Sequence, residues 1–334
     1  MALSNIKIRC FFHLSEMKII LLANHAAILP AIDYFYTQGW LQAVVSTDRL
    51  PTPNLSIADI CRSRNINFIQ VTRLELQTTL QELFAESKPD LAIMLGFSYL
   101  IPESIFTIPQ LGFYNIHFSL LPAYRGPDPI FWQLKNGETT GGITIHQVDA
   151  GFDSGDIVLQ QKIPFIPGEN WGICNSRYAQ TAFQMILQLT GNLRAGEKPG
   201  KISNGDASTY GNPVADDMAI LWEIQAATEI EQLVNACNPV AGGAICFFRQ
   251  QMVRILEVSR VDHVGHAETP GGTIIHADGS GLFVQCADQR VLRIDILKLN
   301  EGFLTGFKLA AMGIKQGDRF ENILLQNLKI IQST

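Results

Sequence analysis

Two short runs, Leu91-Ala92-Ile93-Met94-Leu95 and Gly112-Phe113-Tyr114-Asn115-Ile116-His117, decide how the chain is read. The first is apolar at every position, so it has no face for water and reads as a strand covered on both sides of a sheet. The second starts the same way but ends in an amide and an imidazole, at the edge where open α/β sheets present groups to ligands. Upstream, apolar runs at Lys18–Leu22, Leu41–Ser46 and Asn67–Val71 alternate with helix-period stretches at Ala27–Thr37, Ser56–Arg64 and Leu74–Glu86, with Ser56 suited to a cap. Downstream, Gly142–Val148 and Ile157–Pro164 read as a closing strand pair. Asn175–Leu193 then carries Tyr178, Phe183, Ile186, Leu187 and Leu189 at helical spacing. Strand and helix units repeated in this way give an α/β fold with a mostly parallel, Rossmann-like sheet.

The pattern breaks at Arg194–Asp217, where Gly196, Pro199, Gly200, Gly205, Gly211 and Pro213 mark a linker. A bridging helix over Thr228–Ala236 is followed by short β-rich runs at Ala244–Phe248, Met252–Ser259, Gly272–His276, Leu282–Cys286 and Val291–Leu297. Turn residues such as Asp278-Gly279 and Asp288-Gln289 separate them, which suits a small barrel or sandwich. The expected organisation is an α/β domain at 17–195, a linker and bridging helix at 196–239, and a smaller β-rich domain at 240–334. A chain of 334 residues with 47% hydrophobic content has core material for two such units.

No apolar run reaches the length of a membrane span. Residues 1–16 lack a sustained apolar region and a small-residue cleavage site, and read as an extension outside the fold, with Met17 opening the first strand. The six cysteines show neither CxxC nor metal-type spacing, which suits reduced thiols in cytoplasm and no metal site. A formal charge of −6 supplies no chain-wide attraction for phosphate backbones.

The chemistry concentrates between Tyr114 and Ile157. On a strand, Asn115 and His117 point to one face. A third group, Asp153, arrives in the loop Asp149-Ala150-Gly151-Phe152-Asp153-Ser154-Gly155-Asp156, whose glycines let the backbone approach closely. An Asn, a His and an Asp with no Ser or Cys nucleophile suit acyl transfer to an external nucleophile. The amide would donate to an oxyanion, the imidazole would move a proton, and the carboxylate would orient it. Taken singly, each residue also has an ordinary structural use as a core histidine, a turn Asp or a capping Asn.

The string Asn115-Ile116-His117-Phe118-Ser119-Leu120-Leu121-Pro122-Ala123-Tyr124-Arg125-Gly126, followed by Gly142-Ile143-Thr144-Ile145-His146-Gln147-Val148-Asp149 and the glycine-flanked loop to Ile157, resembles the signature of the folate-dependent formyltransferase family. The resemblance covers residues 17–195, and Asn235-Ala236-Cys237-Asn238-Pro239 is similar to the family's entry into an OB-like C-terminal barrel. It implies catalytic roles for Asn115, His117 and Asp153, with 10-formyltetrahydrofolate as co-substrate. It also implies a folate pocket formed largely by backbone at Leu95, Gly96, Phe97, Tyr99, Leu100 and Ile101 and at Val148, Asp149 and Phe152, and acceptor contacts from Arg125 and Gly126. His146 is expected to be structural, and Ile130 and Phe131 to pack in the core. Trp132 lies off that stripe. Asp216, Asp217 and Glu223 read as solvated charges.

For the acceptor, a small primary amine such as an amino-sugar nucleotide comes first and methionyl-tRNA second. The segment Ser46–Pro53 is short where tRNA enzymes of the family carry a Gly- and Arg-rich insertion. The C-terminal region mixes Arg254, Arg260, Arg290, Arg293 and Lys298 with acidic residues rather than forming a basic stripe. A carrier-bound amino acid and hydrolysis of formyltetrahydrofolate rank lower, and a homodimer is compatible with the sequence. A dinucleotide oxidoreductase is disfavoured because Leu22–Ala27 lacks the glycine fingerprint.

Overall fold

The computed structural model describes residues 17–49, 55–197, 200–201 and 206–322. The extension at 1–16 and the Leu50-Pro51-Thr52-Pro53 part of the segment after the second strand lie outside the described residues. The chain forms two compact units. One draws on residues up to 117, 145–159 and 181–203, the other on 118–144, 160–180 and 204 onward.

In chain order the structure runs β1 (Ile19–Ala23), α1 (Leu29–Thr37), β2 (Leu41–Thr47), α2 (Leu55–Ser63), β3 (Phe68–Val71), α3 (Leu76–Ser87), β4 (Leu91–Leu95), α4 (Glu103–Phe106) and β5 (Phe113–His117). It continues with α5 (Pro129–Lys135), β6 (Thr140–Gln147), β7 (Ile157–Pro164) and α6 (Trp171–Arg194). The strands order as β3-β2-β1-β4-β5-β6-β7. The pairings of β1 with β2 and β4, of β2 with β3, and of β4 with β5 are parallel. Chain order reverses at β1, which has β2 on one side and β4 on the other. Such a switch point is where ligands enter open α/β sheets.

β1 is buried at all five positions because the sheet is covered on both faces, which is why its sequence carries no polar alternation. α3 buries Leu76, Leu80, Leu83 and Phe84, one stripe of a helix. These pack on Ile20, Leu22 and Phe113, with the Phe84 and Phe113 rings stacked 6.2 Å apart. The helix begins at Leu76 rather than at Leu74, which is 94% exposed. Thr72 and Glu75 explain the shift: the Glu75 amide donates to the threonine hydroxyl at 3.3 Å, and that hydroxyl donates to the Glu75 carboxylate at 2.7 Å. α6 likewise starts at Trp171, ahead of the expected 175, because Asn170 Oδ1 accepts from the Ile173 amide at 3.0 Å.

The C-terminal part of the second unit holds α7 (Ala227–Cys237), β8 (Ala244–Phe248), β9 (Gln251–Val264), β10 (Ile274–Asp278), β11 (Gly281–Gln285), β12 (Arg290–Leu299), β13 (Gly302–Thr305), α8 (Gly306–Ala311) and β14 (Phe320–Glu321). These strands form one antiparallel sheet of order β10-β11-β12-β9-β8-β14, with β13 paired to β12. Register shifts at Arg290/Val291, Ile294/Ile296 and Ile296/Leu297 bend β12 against β9 and curl the sheet. β9 outruns the expected Met252–Ser259, since Val261 and Val264 still find partners on β12. The fully buried Trp222 closes its core, stacked on Phe320 at 5.6 Å. Among the described residues no helix is long and apolar enough to cross a membrane.

Candidate active site

β5 presents Asn115 and His117 two residues apart, so their side chains leave the same face of the strand. Pairing with β4 sets their depth, Met94 lying opposite Asn115. Asn115 and His117 are each 7% exposed. Asp153 comes from the loop between β6 and β7 with a side chain only 11% exposed. Its Oδ1 stands 3.1 Å from Asn115 Nδ2 and 3.5 Å from His117 Nδ1. The three groups named from the sequence therefore meet in one place.

His146 joins them. Its Nε2 lies 3.0 Å from Asn115 Nδ2 and 3.5 Å from Asp153 Oδ1, while its Nδ1 is 2.8 Å from the Gln147 carbonyl. A carbonyl only accepts, so Nδ1 carries the proton and Nε2 accepts from Asn115. That tautomer orients the Asn115 amide: one N–H donates to His146, the other to Asp153. His146 lies near the end of β6, the next strand after the one carrying Asn115 and His117, and its part in the site was not read from the sequence.

The backbone of the loop is as constrained as its side chains. Asp153 adopts φ 52°, a left-handed conformation that Asp and Asn tolerate better than most residues. Gly155 passes against β6 so closely that a Cβ would collide with the Gln147 carbonyl oxygen. Asp149 Oδ1 accepts from the Gly151 amide at 3.0 Å and from the Ser154 hydroxyl at 2.7 Å, closing the turn.

Of the residues expected to form a folate pocket, Leu95, Phe97, Tyr99 and Ile101 are buried. Phe97, Tyr99 and Ile101 belong to the core cluster, and Val148 packs against it. The Tyr99 hydroxyl also donates to Asp48 at 2.6 Å. These side chains fix the two loops, and the Val148 amide donates to the Phe113 carbonyl at 2.8 Å. Leu100 and Phe152, 43% and 62% exposed, are the apolar groups turned outward. Gly96 takes φ 64°, and a Cβ there would stand 2.9 Å from Cβ of His25.

Arg125 and Gly126 are tied through their backbone to the segment read as a linker. The Arg125 amide donates to the Ser208 carbonyl and the Tyr210 amide donates to the Arg125 carbonyl, both at 2.9 Å. Gly126 has φ 99°, and a Cβ would collide with the Tyr210 carbonyl. Tyr210 lies between Tyr124 and Trp132, with ring centroids 5.1 and 4.9 Å away. Trp132 donates from Nε1 to the Gly211 carbonyl at 2.9 Å and lies under Lys135 Nζ at 5.0 Å. Sequence reasoning missed this strap because the ring partners Tyr124 and Trp132 lie far from Tyr210 along the chain. Ile130 and Phe131 are core, as the helical spacing implied. Asp217 and Glu223 are not simply solvated: they pair with Lys135 and Arg319.

Comparison with known proteins places this chain in a family. The formyl transferase family model matches residues 53–190, and the formyl transferase C-terminal domain model matches residues 214–306. A methionyl-tRNA formyltransferase of Aromatoleum aromaticum is 32% identical over 244 residues, which are 71% of this chain and 74% of that protein. The chain belongs to the formyl transferase family. Among solved structures, a formyltransferase fold at 15% identity is shared with an N-formyltransferase of Helicobacter canadensis in complex with folinic acid and dTDP-3-aminofucose, with a TM-score of 0.63 covering 83% of this chain and 98% of that one. HypX from Aquifex aeolicus, in complex with tetrahydrofolic acid, gives a TM-score of 0.60 at 15% identity over 92% of this chain. The chain spans about half the length of HypX, 51%.

Proposed function

We propose that this formyltransferase moves the formyl group of 10-formyltetrahydrofolate onto the primary amine of a small acceptor of the amino-sugar nucleotide class. The observation that carries the transfer chemistry is the convergence of Asn115 and His117 on one largely covered carboxylate oxygen of Asp153. His117, with Nδ1 turned toward Asp153, accepts a proton from the attacking amine through Nε2. The amine nitrogen bonds to the formyl carbon, and the carbonyl electrons move onto oxygen. As the imidazole becomes cationic it draws Asp153 toward it, and the Asn115 N–H that the carboxylate leaves donates to the oxyanion. Collapse expels N10 of the folate, which takes the proton back from His117. His146 keeps the Asn115 amide aimed throughout. The folate lies along the main chain of residues 95–101 and 148–152, with Leu100 and Phe152 against it.

The acceptor reading is supported by how the C-terminal part of the second unit uses its cations. From residue 206 to 322 there are nine Lys and Arg against fifteen Asp and Glu. Arg249, Arg260, Arg293 and Arg319 pair with Asp318, Glu231, Asp295 and Glu223, and Arg254 donates to the carbonyls of Ala241 and Gly243. A surface built for a phosphate backbone presents unneutralised cations in a row. The second reading, methionyl-tRNA, is favoured by the name of the Aromatoleum relative. Incubation with 10-formyltetrahydrofolate and either Met-tRNA or a panel of amino-sugar nucleotides, following release of tetrahydrofolate, separates the two. Formylation of Met-tRNA and of no small amine overturns the first reading; no release with any acceptor overturns both.

A further inference from the structure

The transfer chemistry leaves unused a cavity of about 480 Å3 in the second unit, bounded by β9, β10, β11, β12 and the loop 265–273. Its floor is apolar, with Ile274 and Val291 fully buried and Phe283 half-buried. Its mouth carries the exposed imidazoles of His263, His266 and His276, together with threonine hydroxyls and a glutamine amide. The volume lies within the ~300–1,000 Å3 of ordinary small-molecule sites.

The loop over it is braced rather than slack. Gln285, 1% exposed, donates from Nε2 to the carbonyls of His266 at 2.9 Å and Thr269 at 2.6 Å, and its Oε1 accepts from the His266 amide at 2.9 Å. Its own backbone pairs with Gly272 and Thr273. Gly265 runs so close that a Cβ would collide with the Gln285 side chain. A buried amide with all these bonds made holds the wall open, so the cavity exists before any ligand arrives.

The lining determines what fits. It contains no Lys, Arg, Asp or Glu. An ionic group inside would lose its hydration without a counter-charge. Imidazole, hydroxyl and amide groups instead offer donors and acceptors in mixed order, the complement of a heterocycle edge. Phe283, with His276 tilted against it at 5.6 Å, supplies a ring face for stacking. Asp278 holds His276 Nε2 at 3.0 Å from outside the cavity and disfavours an anion at the mouth.

We propose that this cavity is a nucleoside site, taking an uncharged base against Phe283 with its polar edge toward the histidines. It shares no residue with the formyl-transfer site, and nucleoside binding is measured without folate. Adenosine, uridine and thymidine are titrated into the full-length protein while the imidazole proton resonances are followed. The expected result is saturable binding of at least one nucleoside with a shift at His276, weakened tenfold or more by Phe283→Leu while formyl transfer is unchanged. His266→Ala, an exposed position, gives a second measure if Phe283→Leu fails to fold. No saturable binding of any nucleoside at millimolar concentration overturns the proposal, as does binding that neither variant weakens. Binding of dTDP more than tenfold tighter than thymidine also overturns it, since the lining offers no Lys or Arg to a diphosphate.

Discussion

Within the site, the amide of Asn115 has the least freedom, because both of its N–H bonds are engaged by His146 and Asp153. Replacing His146 by Ala removes an acceptor from a buried donor, which costs about 1–3 kcal/mol. The expected outcome is a denaturation midpoint lowered accordingly, together with reduced turnover because the amide is free to rotate; an unchanged midpoint and unchanged kcat contradict the assigned bond. Exchanging Asp153 for Asn keeps both the size and the left-handed backbone, so it isolates the charge. It should lower kcat by roughly 10²–10⁴, as should His117→Ala, the range of general acid–base catalysis. Folate affinity, measured by fluorescence titration, should change little, and near-normal turnover in both variants removes the mechanism. The placement of Asn115 and His117 was legible from strand parity alone. The role of His146 was not, because its partner stands thirty-one residues away and no local pattern links them.

At the level of elements, the loop between β6 and β7 delivers Asp153, and its path depends on Gly155. Gly155→Ala forces the loop off the Gln147 carbonyl. A displacement of about 1 Å in a catalytic group costs on the order of 10²-fold, so kcat/KM should fall by that order with little change in thermal midpoint. Wild-type kcat/KM in this variant would show that the loop tolerates the methyl group. Strands in this chain were readable because two-sided burial writes itself as unbroken apolar runs, as in β1 and β4. Helix starts were displaced where a side chain capped the backbone. Thr72 with Glu75, and Asn170, overrode the apolar periodicity by satisfying amides that a helix leaves open. The strap at 208–211 was read as a linker because glycine and proline dominate its neighbours, whereas its docking rests on rings that sequence spacing does not connect.

Over the whole molecule, the five described cysteines are all buried. Burial pushes the Cys61 thiol up from about 9 to about 11, and those of Cys174, Cys237, Cys246 and Cys286 to about 12. The unfolded chain therefore loses these protons first as pH rises. Stability contributed by the protonated thiols is complete below pH 9 and declines from there toward 11 and 12. The urea midpoint should be lower at pH 10 than at pH 8. A thiol reagent at pH 8 should leave these five unreacted until the protein is denatured; rapid labelling of any of them in the native state contradicts their burial. The glycine and proline run after α6 suggested a linker between two domains, whereas the two compact units each take in several segments of the chain. The interleaving of the two units was not legible in the sequence, since it depends on which distant segments pack together. That interleaving bears on how the enzyme can be dissected. A fragment stopped at residue 195 retains α5 but discards α7, the helix it packs on, together with Tyr210, which covers Trp132. Such a piece would carry bare aromatic surface into solution and precipitate, so the minimal soluble catalyst is close to the entire polypeptide.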